Sequence, residues 1–299
     1  LTKNLYEIIK HMPKKSHPMD VARTAVSVMG LEDKETTDSS PEANMRKALR
    51  IFAKTPTALA AFYRIRKGKK IIKPKKNLTF AENFFYMCFG KVPQKEIVKA
   101  FDVSLILYAE HSFNVSTFTA RTITSSLSDI HGAITGAIAS LKGPLHGGAN
   151  EEVMHMMNKI KKPENALKWI NSALKNKEVV MGFGHRVYKS GDSRVPTMRK
   201  YFGKVAKLKK DKKFEKIYDI VERVMIKEKN IYPNVDYPTG PTYHLMGFDT
   251  DFFTPIFVIS RITGWSAHIM EQHAANKLIR PLASYKGSKH RKVMQLNQR

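Results

Sequence analysis

The 299-residue chain has only one cysteine, Cys88, and no run of about 20 apolar residues. A single cysteine excludes an internal disulfide framework and is typical of a reducing compartment, where it is best explained as a small buried apolar residue. The short apolar runs argue against a membrane-spanning helix. The chain begins at Leu1 without a signal-peptide pattern. We therefore expect a cytoplasmic protein without a membrane partner, whose sequence starts partway into a longer chain.

Acidic residues are scarce, because 26 Asp and Glu stand against 52 Lys and Arg, which gives a formal net charge of +26. Such an excess suits nucleic acid, acidic lipid or small polyanionic substrates as partners. The densest basic runs, 64–76 and 207–213, lack the interleaved aromatics of single-strand binders. We therefore favour solvated lysine-rich loops and helix faces, and nucleic-acid binding is the less favoured alternative.

Strand patterns are few and short, whereas apolar residues recur at helical spacing along most of the chain. Helices are predicted over 17–31, 41–68 (two helices meeting at Pro56), 79–90, 93–111, 116–141, 147–160, 163–176, 195–209, 214–230 and 251–276. We predict an all-α protein with two domains. Glycine- and proline-rich turns mark a small domain at 146–246, set between two parts of a large domain at 1–145 and 247–299.

Four segments place titratable residues among glycines or at the ends of apolar helices. They are AEHSFNVST with His111, LKGPLHGGANEE with His146, GFGHRVYKSGDSR with His185 and Arg194, and YPNVDYPTGPTY with Asp236. Each residue alone has a structural explanation, such as a C-terminal cap for His111 or an Asx turn in a loop for Asp236. His146 precedes a predicted helix N-terminus, where an imidazole tends to stay neutral and can donate a hydrogen bond to a carbonyl.

Taken together, the segments supply three histidines and a carboxylate, accompanied by Arg194, Arg261 and Arg280. These groups are what a site needs to bind a dicarboxylate, activate a carbonyl and remove a proton from carbon. A zinc site built from the three histidines is the alternative, but their spacing matches no zinc signature. We therefore expect no metal.

The segments GPLHGGAN, GFGHRVYKSGDSR, YPNVDYPTG, SRITGWSAHIMEQ and IRP resemble those of citrate synthases and the related 2-methylcitrate synthases, in the same order and approximate spacing. The resemblance runs from about residue 17 to the C-terminus. It implies a two-domain helical fold with the active site in the cleft, a homodimer, and an acyltransferase that condenses an acyl-CoA with oxaloacetate. It implies no permanently bound cofactor, and an N-terminal segment before Leu1.

The resemblance also implies roles for individual residues. Asp236 would take the proton next to the thioester carbonyl, His146 would hydrogen-bond that carbonyl oxygen, and His185 would polarise the ketone of oxaloacetate. The residues implied to bind oxaloacetate are His111, His185, Arg194 and Arg261, with Arg280 reaching in from the other subunit. Those implied to bind CoA are Val179, Val180, Met181, Gly182, Phe183 and Gly184 through their backbone, and Lys189 through a phosphate.

The identity of the acyl group is the least determined part of the resemblance. The residues after Asp236, with GPTYHLMGFDT and IRPLASY, look more like members that use propionyl-CoA, or both thioesters. The two acyl groups differ by one methylene, worth about 1–3 kcal/mol in a pocket. A 2-methylcitrate or bifunctional synthase is therefore the favoured interpretation, with a strict citrate synthase of the tricarboxylic acid cycle as the alternative.

Overall fold

The structure, a computed structural model, describes residues 1–143, 146–185, 187–188 and 191–299. Over those ranges the fold has thirteen α-helices, two short 3₁₀ helices (Thr250–Phe252 and Leu296–Gln298) and no β-strand, which confirms the all-α prediction. The α-helices are α1 (Lys3–His11), α2 (Pro18–Glu32), α3 (Pro41–Arg66), α4 (Phe80–Phe89), α5 (Lys95–Tyr108), α6 (Val115–Ser125), α7 (Ile130–Lys142), α8 (Ala149–Ile160), α9 (Pro163–Lys175), α10 (Val195–Leu208), α11 (Lys213–Lys229), α12 (Asp236–Met246) and α13 (Phe253–Ala274). In that same part of the chain, no helix has the length and apolarity needed to cross a membrane.

Short polar side chains define where several helices begin. Ser40 accepts a hydrogen bond from the amide of Ala43 just before α3, and Thr79 and Glu82 form a capping box at the start of α4. These contacts satisfy backbone N–H groups that have no partner within the helix. The starts predicted at residues 41 and 79 agree with the observed starts of α3 and α4 at Pro41 and Phe80.

Helix α3 continues through Pro56, so the prediction of two helices meeting at that proline is wrong. Proline removes one backbone donor from the helix. The hydroxyl of Thr55 donates to the carbonyl of Ile51, and every residue of 55–63 is buried. Tertiary burial of this segment therefore outweighs the loss of a single helical hydrogen bond.

The long helix predicted over 116–141 is divided into α6 and α7. Leu127 adopts a φ of 65°, a conformation that a regular helix does not contain. Asp129 then caps α7, because its carboxylate accepts from the amides of His131 and Gly132. The capping aspartate was visible in the sequence, whereas the break before it was hidden by the continuous apolar spacing.

Helix α13 passes through the middle of the molecule and is buried along most of its length. Helices α3, α5, α6 and α7 pack against it, while α8 to α12 pack mainly on one another, through the pairs α10–α12, α8–α12 and α9–α11. The second group contacts the first chiefly through α10 on α5 and α8 on α13. The functional site lies where these two groups of helices meet.

Candidate active site

A cavity of about 560 Å³ opens between the two groups of helices. Six of the titratable residues singled out in the sequence line it: His111, His146, His185, Arg194, Asp236 and Arg261. Five of them come from turns or helix ends that are far apart in the chain, and Arg261 comes from within α13. Folding therefore brings together the carboxylate, the three imidazoles and two of the three guanidinium groups.

Asp236 is the first residue of α12, so the prediction that it lies in a loop is wrong. Just before the helix, the side-chain oxygen of Asn234 accepts from the amide of Asp236 at 3.1 Å. Pro238 sits in the first turn, where its missing N–H costs nothing, and this position was the signal for a helix start. The phenol of Tyr108 donates to Oδ1 of Asp236 at 2.5 Å. Burial raises the pKa of Asp236, although this hydrogen bond opposes the shift.

His146 precedes α8 and is held through its Nε2 atom. That nitrogen accepts from the backbone amide of Ser116 at 3.1 Å and lies 2.9 Å from the Ser116 hydroxyl, to which Trp265 also donates. Burial, with Arg261 nearby, lowers the pKa of His146 to about 4. A neutral ring that accepts at Nε2 carries its proton on Nδ1. His146 is therefore a neutral hydrogen-bond donor through Nδ1.

His185 has the opposite tautomer, again because of backbone amides. Its Nδ1 accepts from the amides of Val187 and Tyr188 at 3.1 and 3.2 Å. Burial and the charge of Arg194 lower its pKa, so the neutral ring has its proton on Nε2. The ring centre of His185 lies 4.8 Å from that of His111. The two imidazoles thus stand side by side in the cavity wall.

Arg261 is almost completely buried, with 2% of its surface exposed. Its Nε donates to the carbonyl of Tyr108 at 2.7 Å, and its guanidinium lies 4.4 Å from the ring centre of Phe257. Within the described ranges, no carboxylate forms an ion pair with it. Burial, together with the charge of Arg194, lowers its pKa to about 10. A buried guanidinium without a protein anion is suited to a carboxylate on a ligand.

Arg194 is paired within the protein. Its guanidinium forms a two-pronged ion pair with the buried Asp192, through contacts of 2.9 and 2.8 Å. Asp192 also accepts from the amide of Val235 at 3.0 Å. The carboxylate of Asp192 therefore joins the segment before α10 to the start of α12.

His111 lies three residues beyond the end of α5 rather than closing that helix. Its Nε2 is buried and has no hydrogen-bond partner among the described residues. Burial, with Arg194 next in effect, lowers its pKa. An unpaired buried ring nitrogen in a cavity wall is available to a ligand.

Of the remaining sequence candidates, Gly184 alone lines the cavity among the described residues. Arg280 is exposed in the C-terminal segment. Of the stretch from Val179 to Gly184, only Gly184 lines the cavity, and Val179 is 83% exposed. Lys189 falls outside the described residues.

Sequence reasoning missed three residues that hold the site together. Tyr108 bonds to Asp236, Ser116 fixes the ring of His146, and Trp265 donates to Ser116. Tyr108 lies three residues before His111 in a helix that was predicted, so its proximity to the site could have been noticed. Nothing in the sequence marks Ser116 or Trp265 as neighbours of His146.

In the described part of the chain, no group of three His, Cys, Asp or Glu side chains is arranged to hold a metal ion. The arrangement of His111, His146 and His185 is that of separate hydrogen-bonding groups, since two of the rings already accept from backbone amides. The geometry is therefore suited to proton transfer and carbonyl polarisation on a substrate that carries carboxylates.

This chain is similar to known proteins both in sequence and in three-dimensional structure. Residues 1–282 match the family model described as citrate synthase, C-terminal domain. A citrate synthase of Mycolicibacterium smegmatis is 51% identical over 294 residues, covering 98% of this chain and 78% of the relative. A 2-methylcitrate synthase of Mycobacterium tuberculosis (strain H37Rv) is 52% identical over 289 residues, covering 97% of this chain and 73% of the relative.

Solved structures agree with this assignment. The ternary complex of carboxymethyl coenzyme A and oxaloacetate with citrate synthase from the archaeon Thermoplasma acidophilum superposes with a TM-score of 0.91 at 33% identity, covering all of this chain and 80% of that one. Citrate synthase from Thermotoga maritima gives a TM-score of 0.87 at 36% identity, covering all of this chain and 79% of that one. The chain belongs to the citrate synthase family.

Proposed function

We propose that this chain condenses an acyl-CoA, either propionyl-CoA or acetyl-CoA, with oxaloacetate and water to give 2-methylcitrate or citrate and free CoA. The observation that carries the proposal is the content of one cavity: the carboxylate of Asp236, two neutral imidazoles with fixed tautomers, and the buried guanidinium of Arg261. The relative from Thermoplasma acidophilum was solved with a carboxymethyl-CoA and oxaloacetate together. Acyl-CoA is a substrate here, and no permanently bound cofactor or metal enters the proposal.

Asp236 is the proposed base for the first step. It takes a proton from the carbon next to the thioester carbonyl, a proton so weakly acidic that the enol must be stabilised as it forms. His146 supplies that stabilisation by donating from Nδ1 to the carbonyl oxygen, because its Nε2 is occupied by the amide of Ser116. Its low pKa suits a neutral donor, since it keeps the ring uncharged at neutral pH.

Oxaloacetate is the proposed acceptor of the new carbon–carbon bond. Arg261 and His111 bind its carboxylates, and Arg194 contributes its charge from the pair with Asp192. His185 donates from Nε2 to the ketone oxygen and passes this proton to it as the enol carbon attacks the ketone carbon, and the ring regains a proton from the water that enters for hydrolysis. Water then attacks the thioester carbonyl, the carbon–sulfur bond breaks, and the CoA thiol leaves.

The chain is proposed to work as two domains, 146–246 against 1–145 with 247–299. Helices α8 to α12 all lie in the middle segment and pack mainly on one another, and the cavity lies beside them. Closing this segment over oxaloacetate would exclude water and delay hydrolysis of the thioester until condensation is complete.

Coenzyme A is proposed to bind along Val179, Val180, Met181, Gly182, Phe183 and Gly184, with a phosphate at Lys189. Two features support this placement. Gly184 lines the cavity, and Val179 at the other end of the stretch is exposed to solvent. The stretch therefore leads from the surface to the reacting groups.

We propose a cytoplasmic homodimer in which Arg280 of each subunit serves the other subunit's site. Helix α6 exposes Val115 and Phe118, and Phe113 beside it is 64% exposed. Large apolar side chains grouped on one helix surface indicate a protein interface.

The proposal predicts release of free CoA thiol from propionyl-CoA and acetyl-CoA only when oxaloacetate is present. Asp236→Ala should lower kcat by about 10²- to 10⁴-fold, because the base is lost, while calorimetric titration still detects oxaloacetate. Asp249→Ala, which removes a carboxylate paired with Lys67 outside the cavity, is the control and should keep wild-type turnover. Absence of thiol release from both thioesters would contradict the proposal, and the ratio of kcat/KM for the two would assign the acyl preference.

A further inference from the structure

Tyr108 lies between Asp236, the proposed base, and Arg261, which is proposed to bind oxaloacetate. It is the last residue of α5 and is completely buried. Its phenol donates to Oδ1 of Asp236 at 2.5 Å, while its backbone carbonyl accepts from Nε of Arg261 at 2.7 Å. One residue thus contacts both the proposed base and the proposed oxaloacetate guanidinium.

Resting on the proposed function, we propose that Tyr108 is a positioning residue that fixes Asp236 with Oδ1 engaged and Oδ2 directed to the acyl-CoA. Within the described ranges, Asp236 Oδ2 accepts no protein hydrogen bond, and Asp236 lines the cavity. A carboxylate that could rotate freely would present its proton-accepting oxygen in many orientations. Because reaction rates depend steeply on such alignment, one fixed rotamer favours proton abstraction.

The phenol also controls how easily Asp236 ionises. A donor to the carboxylate stabilises its charged form, which opposes the effect of burial. Other groups facing Asp236 are Arg194, which favours the charge, Asp192, which disfavours it, and Arg261, which favours it. His185 and Tyr243 also face it across the cavity and the helix core. Burial and the charge of Asp236 raise the pKa of Tyr108, so the phenol stays a donor throughout the working pH range.

Tyr108→Phe removes the donor and keeps the ring. We expect kcat to fall by about 10- to 100-fold, since the base loses its fixed orientation. We also expect the acid limb of kcat/KM for acyl-CoA to move to higher pH by about one unit or more, because a hydrogen bond to a charged group is lost. The KM for oxaloacetate should change little, since the carbonyl of Tyr108 still accepts from Arg261.

Tyr243→Phe is the matched control. Tyr243 lies on α12 like Asp236, is buried, and its phenol lies 2.8 Å from the hydroxyl of Ser104 on α5. Both substitutions therefore delete one phenol hydrogen bond between α5 and α12, but only one of the two phenols contacts the base. The Tyr243 variant should keep the wild-type acid limb.

The outcomes separate this inference from the proposed function. If wild-type protein releases no thiol, the function itself fails. If the wild type is active and Asp236→Ala is not, but Tyr108→Phe keeps the wild-type acid limb and kcat, the positioning role is wrong. An equal shift of the acid limb in the Tyr243 variant would also contradict the positioning role. A rise in the thermal unfolding temperature of each variant on adding oxaloacetate shows that the variant is folded.

Discussion

At the scale of single residues, backbone amides decide what the site histidines can do. His146 accepts at Nε2 from Ser116, and His185 accepts at Nδ1 from Val187 and Tyr188. The two rings therefore have opposite tautomers, and each has one N–H left to donate. The residue type alone determines neither the tautomer nor which N–H is free to donate, because an isolated histidine exchanges its tautomers freely.

The neutral state of His146 has a consequence for stability. Its folded pKa of about 4 lies below the ordinary 6.5, so the unfolded chain binds more protons between these values and stability falls as the pH drops from 6.5 towards 4. The full effect is worth about 3 kcal/mol. In urea unfolding at pH 7 and pH 4.5, His146→Asn should therefore lose less stability on acidification than the wild type. Equal losses would contradict the assignment, because the other titrating groups are shared by both proteins.

At the scale of elements, all the site residues except Arg261 lie at helix ends or in the turns beside them. Residues 182–184 are tied to 232–234 by the bridge between Phe183 and Pro233 and by the amide of Asn234 donating to the carbonyl of Gly182 at 2.8 Å. This pairing fixes the turn that carries His185 next to the start of α12, which carries Asp236. Two short turns thus set the relative position of the proposed acid and base.

The two glycines of this turn have different requirements. Both have positive φ, 85° at Gly182 and 77° at Gly184. A Cβ at Gly182 would approach Val153 to 2.6 Å, whereas at Gly184 the nearest atom, on Ile231, is 3.5 Å away. Gly184→Ala should cost about 1–2 kcal/mol of folding free energy, from backbone strain alone. Gly182→Ala should cost about 1–3 kcal/mol more, from overpacking.

Chemical denaturation of the two variants checks this difference, and equal costs would show that the packing around Gly182 yields easily. The pair also tests the proposed CoA site. Gly184 lines the cavity, so its variant should raise the KM for acyl-CoA while remaining folded. An unchanged KM would remove Gly184 from that site.

At the scale of the whole molecule, the cavity depends on two groups of helices and, as proposed, on a second subunit. Arg261, buried and without a carboxylate partner in the described part of the chain, supplies one positive charge, and Arg280 is exposed at the C-terminal end. If Arg280 acts across a dimer, then each complete site combines residues of two chains. The symmetry of a homodimer makes this testable.

Mixed dimers provide the measurement. One subunit carrying Asp236→Ala and the other carrying Arg280→Ala, purified through two different tags, would contain one doubly defective site and one intact site. We expect roughly half of the wild-type turnover per dimer, while both parent dimers stay inactive. No recovery in the mixed dimer would place Arg280 in the site of its own chain, because each site would then hold one defect.

Much of the fold could be read from the chain, because helix periodicity and capping are local. The starts of α3 and α4 follow from Ser40 and Thr79 within the next few residues. The errors arose where packing or a single dihedral angle overrode the local pattern: α3 continues through Pro56 because its neighbours bury it, and α6 ends before Leu127. The prolines around Asp236 favour a loop, whereas the structure begins α12 at this residue.

The sequence by itself determined the helical class, the family resemblance and the identity of the reactive side chains, because residue types and spacing are fixed in the chain. Only the tertiary structure decided which residues share a cavity, which nitrogen of each imidazole is free, that Asp192 engages Arg194, and that Tyr108 reaches Asp236. These properties depend on contacts between segments far apart in sequence. Orientation, protonation and pairing are set by such contacts, and the chemistry of the site depends on all three.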